Sequence, residues 1–261
     1  MSGSQNVMTT EDQQMGSEGQ WFGFRPVDPT QKASLVREVF DSVASRYDLM
    51  NDLMSGGVHR LWKNALIDWI APRPHHHLLD VAGGTGDIAF RFLDRAPDAH
   101  VTLCDINESM LRVGRDRAID RGLIRGLDFV VGDAMALALP DRAVDVVTIA
   151  FGLRNVTDID KGLSDMFRVL KPGGRFFCLE FSQVILPGFD KFYDWYSFNI
   201  LPRLGSKVAG DEEAYRYLAE SIRRFPPQNE LAQRMRAAGF EKVSYRNLSG
   251  GIAAIHCGWR L

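Results

Sequence analysis

Apolar residues recur at helical spacing from Gln31 to about Ile70 (Leu35, Val36, Val39, Phe40 and Val43, then Leu61, Leu66, Ile67 and Ile70), interrupted at Ser55-Gly56-Gly57. This pattern predicts two or three helices before any strand. The period then changes. Leu78-Leu79-Asp80-Val81 is a short apolar run that meets the glycine-dense stretch Ala82-Gly83-Gly84-Thr85-Gly86-Asp87, and an apolar-periodic segment begins at Ile88. His100 to Asp105, Asp128 to Ala134 and Ala143 to Ala150 read as further strands, the last apolar on both faces except near its start. Asp158 to Leu170 reads as an amphipathic helix, stopped by Pro172 and turned by Gly173-Gly174 into a strand from Arg175 to Phe181. The alternation predicts an α/β fold with a parallel sheet and helices on both faces. Gly239 to Asn247 and Ile252 to Trp259, around Gly250-Gly251, read as two closing strands.

With 261 residues the chain can bury a substantial core as one large domain. Residues 1–20 are too polar to repay the entropy of ordering and are expected to form a loose tail. They lack the apolar core of a secretory signal, and acidic residues without arginine argue against a transit peptide. The expected domain is 21–261, with a helical cap at 21–74 and an insertion at 182–224 that carries Phe189, Phe192, Tyr193, Trp195, Tyr196 and Phe198. A formal net charge of −2 with dispersed basic residues gives no reason to expect nucleic acid. No apolar run approaches the roughly 18 residues of a membrane span. Cys104, Cys178 and Cys257 fall in apolar segments without paired or metal-like spacing, so free thiols in a reducing compartment are expected. His75-His76-His77 suggests a metal, but consecutive side chains diverge and Pro72 and Pro74 predict a surface turn; no metal is expected.

The glycine turn suits a ligand lying directly on the backbone, with the next helix offering unpaired N–H groups and the positive end of its dipole. Gly84-x-Gly86-x-x-Ala89, followed by Asp105 about twenty residues later, satisfies a dinucleotide fingerprint. Read one step earlier, Asp80-x-Ala82-x-Gly84-x-Gly86 resembles the acidic-x-Gly-x-Gly-x-Gly loop of S-adenosyl-L-methionine (SAM) methyltransferases, with Ala82 at the first glycine. The turn by itself leaves both open.

Longer segments discriminate. Tyr47-Asp48-x-Met50-Asn51-x-x-x-Ser55-x-x-x-His59-x-x-Trp62 and Arg168 to Phe176 through Leu179-Glu180-Phe181-Ser182 are similar to the two signatures of the ubiquinone/menaquinone biosynthesis C-methyltransferase family. With Phe151-Gly152-Leu153-Arg154-Asn155-Val156 and Tyr215 to Ile222 the likeness runs from about Phe22 to the C-terminus. The resemblance implies a Rossmann-like class I methyltransferase sheet, mostly parallel with a C-terminal antiparallel hairpin, under an N-terminal helical cap. It implies SAM as methyl donor, held by Asp80, Ala82, Gly84, Thr85 and Gly86 in the loop and by Asp105 at the ribose hydroxyls. Ile106 would pack on the adenine, Asp133 and Ala134 would lie beside it, and Ala150 would emerge next to the ligand. The implied acceptor is a polyprenylated quinol, either a methoxylated benzoquinol or demethylmenaquinol or both. So greasy an acceptor implies a cytoplasmic protein with peripheral contact at the inner face of the membrane, among other quinone-biosynthesis enzymes.

Methylating a ring carbon requires that a neighbouring hydroxyl lose its proton, so that phenolate charge reaches the carbon. Arg154 stays protonated and is cast as the positive partner of that developing charge. Asn155 would orient the hydroxyl or a water, and Tyr47, His59 or Glu180 would accept the proton. Plainer roles stay open on sequence alone: Arg154 paired with Asp158, His59 capping a helix, Glu180 bonded to backbone. A nicotinamide-dependent oxidoreductase and a SAM-binding scaffold without turnover are the alternatives.

Overall fold

A computed structural model describes residues 20–43, 52, 55–123, 125–185 and 212–261. The polar tail before residue 20, Tyr47 and the aromatic run 189–204 lie outside the described residues.

Strand periodicity sets the layers. Side chains alternate across a strand, so Leu78, Val146, Phe177 and Leu179 face one side of the central sheet while Leu79, Val147, Phe176 and Cys178 face the other. The sheet is built from β3 (His77–Val81), β4 (His100–Asp105), β5 (Leu127–Val131), β6 (Val144–Ala150), β7 (Leu170–Phe181), β8 (Glu241–Leu248) and β9 (Ala253–Trp259). Its order is β5-β4-β3-β6-β7-β9-β8. The first five of these run parallel, and β9 inserts antiparallel between β7 and β8, which gives the expected closing hairpin. The chain leaves β3 toward β4 and β5, then crosses back to place β6 on the other flank of β3, so the switch point lies at β3 and β6.

Helices α2 (His59–Ile70), α3 (Asp87–Arg95), α4 (Glu108–Asp120) and α6 (Glu212–Arg224) contribute to one core. Helices α5 (Ile159–Val169) and α7 (Gln228–Ala237) contribute to the other. The local signals are ordinary: Asn107 accepts the Met110 N–H at the start of α4, and Asp158 accepts the Lys161 N–H at the start of α5. Helix α1 (Pro29–Val43) covers the carboxyl ends of the strands, where the Asn107 amide donates to Asp41 Oδ1 at 3.0 Å.

Three details depart from the sequence reading. A two-stranded hairpin, β1 (Gln20–Phe22) with β2 (Arg25–Val27), opens the segment expected to be a helical cap; its strands of three residues are too short to show a period. Lys171 to Gly174 do not turn the chain into a new strand but bulge within β7 opposite Asp145, whose carboxylate holds Lys171 Nζ at 3.0 Å. Only His75 of the histidine triplet sits exposed in a turn, because His77 opens β3 and bonds Thr102 Oγ1 through Nε2.

Trp62 ties the cap to the closing hairpin. It is 3% exposed, sits edge-on to Phe181 and donates its indole N–H to Ser249 Oγ at 2.9 Å, a contact spanning most of the chain. Trp62→Ala should destabilise the fold by about 4 kcal/mol, read as a lower urea midpoint at unchanged slope, through lost burial and an unfilled cavity. A loss below about 1 kcal/mol would show that the cap is not anchored there.

Candidate active site

The neighbouring strands β3 and β6 both end in left-handed backbone: Ala82 has φ 49° and Phe151 has φ 56°. Such a conformation is uncommon for residues with a Cβ and is kept only where surrounding structure enforces it. The two turns lie so close that a Cβ on Gly152 would stand 2.6 Å from that of Ala82. Gly152, with φ −118°, is therefore glycine for room, not for conformation. Its missing side chain makes space for the methyl that Ala82 carries where the resembled loop has glycine.

Asp105, at the end of β4, shapes the loop beside it. Its Oδ2 accepts the Gly84 N–H at 2.8 Å and its Oδ1 accepts the Asn107 N–H at 2.8 Å. Burial nevertheless raises the carboxyl to about 6 against those N–H groups. Asp80, in register with Thr148 of β6, accepts the Thr148 hydroxyl at 2.7 Å through Oδ1, while Oδ2 is buried with no well-formed hydrogen bond among the described residues. Burial drives Asp80 up to about 7.

Two cavities open on this edge and share Ala82, Gly84 and Phe151. The larger is lined by Asp105, Ile106, Asp133, Ala134 and Asn155 together with Val36, Arg37 and Phe40 of α1. The smaller is lined by Asp80, Thr85 and Ala150 together with Lys63 and Asp87, which form a 2.7 Å ion pair. Asp133 bonds the Met135 N–H through Oδ1, and Thr85 accepts from Arg117 at 3.0 Å. Gly86 lines neither cavity: it has φ 87° and faces Phe90 and Leu103, so it serves the turn into α3. The α1 wall was not legible in the sequence, because Val36 and Phe40, one helical turn apart, read equally well as plain core.

The acid–base candidates divide. Asn155 lines the larger cavity and accepts the Tyr217 hydroxyl at 2.8 Å. Arg154 does not line it. The guanidinium turns inward, donating to Glu180 Oε1 at 2.7 Å and to the Phe151 carbonyl at 2.6 Å, with the Arg154 and Glu180 side chains 1% and 2% exposed. Glu180 also accepts the Phe181 N–H at 2.9 Å. Burial raises its carboxyl above the ordinary value against the opposing pull of Arg154. Arg154 thus pairs with Glu180 and not with Asp158, and neither side chain lines the larger cavity. His59 lies in a separate cleft beside Asp87 and Arg91, with Nε2 2.8 Å from Asp52 Oδ1. Burial and Lys63 hold its imidazole below the ordinary value, so it is neutral at pH 7, but it does not reach the larger cavity.

The fit between the two strand-end turns is directly testable. Gly152→Ala should cost about 1–3 kcal/mol by overpacking. Adding Ala82→Gly to that variant should restore most of the loss in urea unfolding, since removing either methyl relieves the clash. Two independent, additive losses would contradict the packing described.

The ubiE/COQ5 methyltransferase family matches residues 28–260. The Brucella abortus (strain S19) ubiquinone/menaquinone biosynthesis C-methyltransferase UbiE is 58% identical over 243 residues, covering 92% of this chain and 90% of that protein. Among solved structures, the [4+2]-cyclase SpnF aligns with a TM-score of 0.65 at 19% identity over 87% of this chain and 96% of its own. A SAM-dependent methyltransferase, possible histamine N-methyltransferase, from Thermotoga maritima aligns at 0.61 and 18% identity over 86% and 99%. At such identities these two share the fold alone, and a cyclase among them shows that the fold does not dictate the reaction. The sequence match does more and sets the nicotinamide alternative aside: the chain belongs to the ubiE/COQ5 methyltransferase family and is a SAM-dependent C-methyltransferase.

Proposed function

We propose that the chain methylates a ring carbon of a polyprenylated quinol, a benzoquinol or demethylmenaquinol or both, in ubiquinone and menaquinone biosynthesis. The supporting observation is identity of 58% across nearly the whole chain to a protein named for that reaction. Bound SAM supplies a methyl group on a sulfonium. Its adenosine would occupy the larger cavity, with Asp105 accepting from the ribose hydroxyls, Ile106 and Ala134 against the adenine and Asp133 near its amine. Each Asp105 oxygen keeps a lone pair beyond the backbone N–H it already accepts. The methionine end would occupy the smaller cavity, where the buried Asp80 Oδ2 suits an ammonium group, and Ala150 and Thr85 complete the wall. The residues therefore fit the ligand.

The quinol ring would lie beside Phe151 and Asn155, with the Asn155 side chain hydrogen-bonded to a ring hydroxyl. Arg154 and Glu180 hold the Phe151 to Asn155 segment from beneath, since Arg154 binds the Phe151 carbonyl and Glu180 Oε2 reaches the Arg154 N–H at 3.4 Å. Of the three suggested proton acceptors, Tyr47 is the one retained, because His59 opens on another cleft and Glu180 is committed to Arg154. The aromatic run Phe189 to Leu204 would carry the isoprenoid. No helix among the described residues is long and apolar enough to cross a membrane. A cytoplasmic enzyme touching the inner face of the membrane, near others of its pathway, is the arrangement that such an acceptor requires.

Incubation with SAM and a short-chain demethylmenaquinol or demethylated benzoquinol under reducing conditions should yield a product methylated on ring carbon. An O-methylated product, or none, would refute the reading. SAM binding should also follow pH. Protonation removes acceptor capacity from Asp105 and Asp80, so affinity should strengthen as pH rises through about 6 and level off above about 7, with proton release on binding near pH 6. Calorimetry in buffers of different ionisation enthalpy reads this, and a flat profile would contradict it. Glu180→Gln should destabilise the protein by about 3–5 kcal/mol, because it strands a buried guanidinium; full stability with lost turnover would instead return Glu180 to the chemistry.

A further inference from the structure

We propose that Tyr217 is a positioning residue, whose hydroxyl fixes the Asn155 side-chain amide so that its NH2 group, and not its carbonyl, faces the larger cavity. The inference rests on the quinol reading for its chemical use, but the geometry stands without it. Asn155 lines the larger cavity, while Tyr217 lines a second, polar cavity that shares Val156 and Thr157 with it and includes Arg154 and Lys32. Tyr217 is 4% exposed and its ring is stacked on Phe22 at 4.2 Å, nearly parallel at 17°, so the phenol is held from behind by the N-terminal hairpin.

A buried hydroxyl must spend its proton on an acceptor, and leaving it unmade costs about 1–3 kcal/mol. Among the described residues the one partner of the Tyr217 hydroxyl is the Asn155 side chain at 2.8 Å. The phenol therefore donates and Asn155 Oδ1 accepts. The reversed amide would leave the phenolic proton without an acceptor among the described residues, so this contact favours the orientation in which Oδ1 faces the phenol. Burial pushes the phenol above its ordinary value, against the pull of Arg154, and keeps the donor protonated throughout the working range.

The amide nitrogen of Asn155 makes no hydrogen bond among the described residues, and the residue lines the larger cavity, so the nitrogen is available to a guest there. A free N–H donor has the polarity to stabilise an oxygen on which negative charge develops, whereas a carbonyl there would repel it. Tyr217 also links the site to α6 and, through Phe22, to the first hairpin. Elements distant in sequence thereby fix one donor.

Tyr217→Phe keeps the ring and its stacking and removes only the hydroxyl. It should lower kcat on the order of tenfold or more, as loss of an aligned oxyanion donor does, with KM for SAM unchanged. In an Asn155→Ala background the same substitution should change kcat by less than about twofold, because a residue acting through Asn155 has nothing left to orient. Equal losses in both backgrounds, or no loss in the first, would overturn the proposal. If the wild-type protein shows no quinol methylation, the functional reading fails separately, and the orientation is still decided by nuclear magnetic resonance. The side-chain amide protons of Asn155, assigned by their disappearance in Asn155→Ala, should be sharp and well dispersed in the wild type and move toward exchange-averaged values in Tyr217→Phe. Signals unaffected by Tyr217→Phe would overturn the proposal whatever the substrate.

Discussion

One carboxylate holds the site together. Asp105 sits at the end of β4 and divides its two oxygens between the Gly84 N–H of the neighbouring loop and the Asn107 N–H that opens α4. Asn107 then caps α4 and reaches α1 through Asp41. Burying an acid is unfavourable, and the backbone donors offset that only in part, which is why the carboxyl is pushed up to about 6. A ligand with further donors would complete what the backbone begins. On the proposed reading, structure and binding draw on the same atoms, and the loop holds its bond to Asp105 before any ligand is present.

Two of the left-handed non-glycine residues stand where the two central strands end. Ala82 and Phe151 both adopt left-handed backbone, and Gly152 makes room for the methyl that Ala82 brings. Beneath them, Arg154 and Glu180 neutralise one another in the interior and hold the Phe151 carbonyl. Removing either partner would strand a buried charge, so the pair is better understood as fixing conformation than as adding stability. The charge on Arg154 is used to shape the wall beside the site.

Much of this was legible in the chain. The run of β6, apolar on both faces except near its start, announced a strand buried on both faces, and the spacing from the glycine turn to Asp105 placed an acid at the adjacent strand end. The length of the resemblance, more than the glycine turn, separated a methyl donor from a dinucleotide. What escaped was side-chain direction. Hydrophobic period reports which face a residue occupies and is silent about the rotamer of a long cation, so Arg154 could be read toward the cavity although Glu180, 26 positions on, turns it inward. His59 misled for a related reason, because α2 places it on the side of Asp52 and Asp87. Tyr217 lies 62 positions from Asn155 and no local spacing connects them.

The most direct test of the whole account is a crystal structure with S-adenosylhomocysteine bound. Ribose hydroxyls are expected within about 3 Å of the Asp105 carboxylate, with the Gly84 to Asp105 hydrogen bond intact and the sulfur at the junction formed by Ala82, Gly84 and Phe151. Density for the ligand in another cleft, or a loop that must break its bond to Asp105 to admit the ligand, would contradict it.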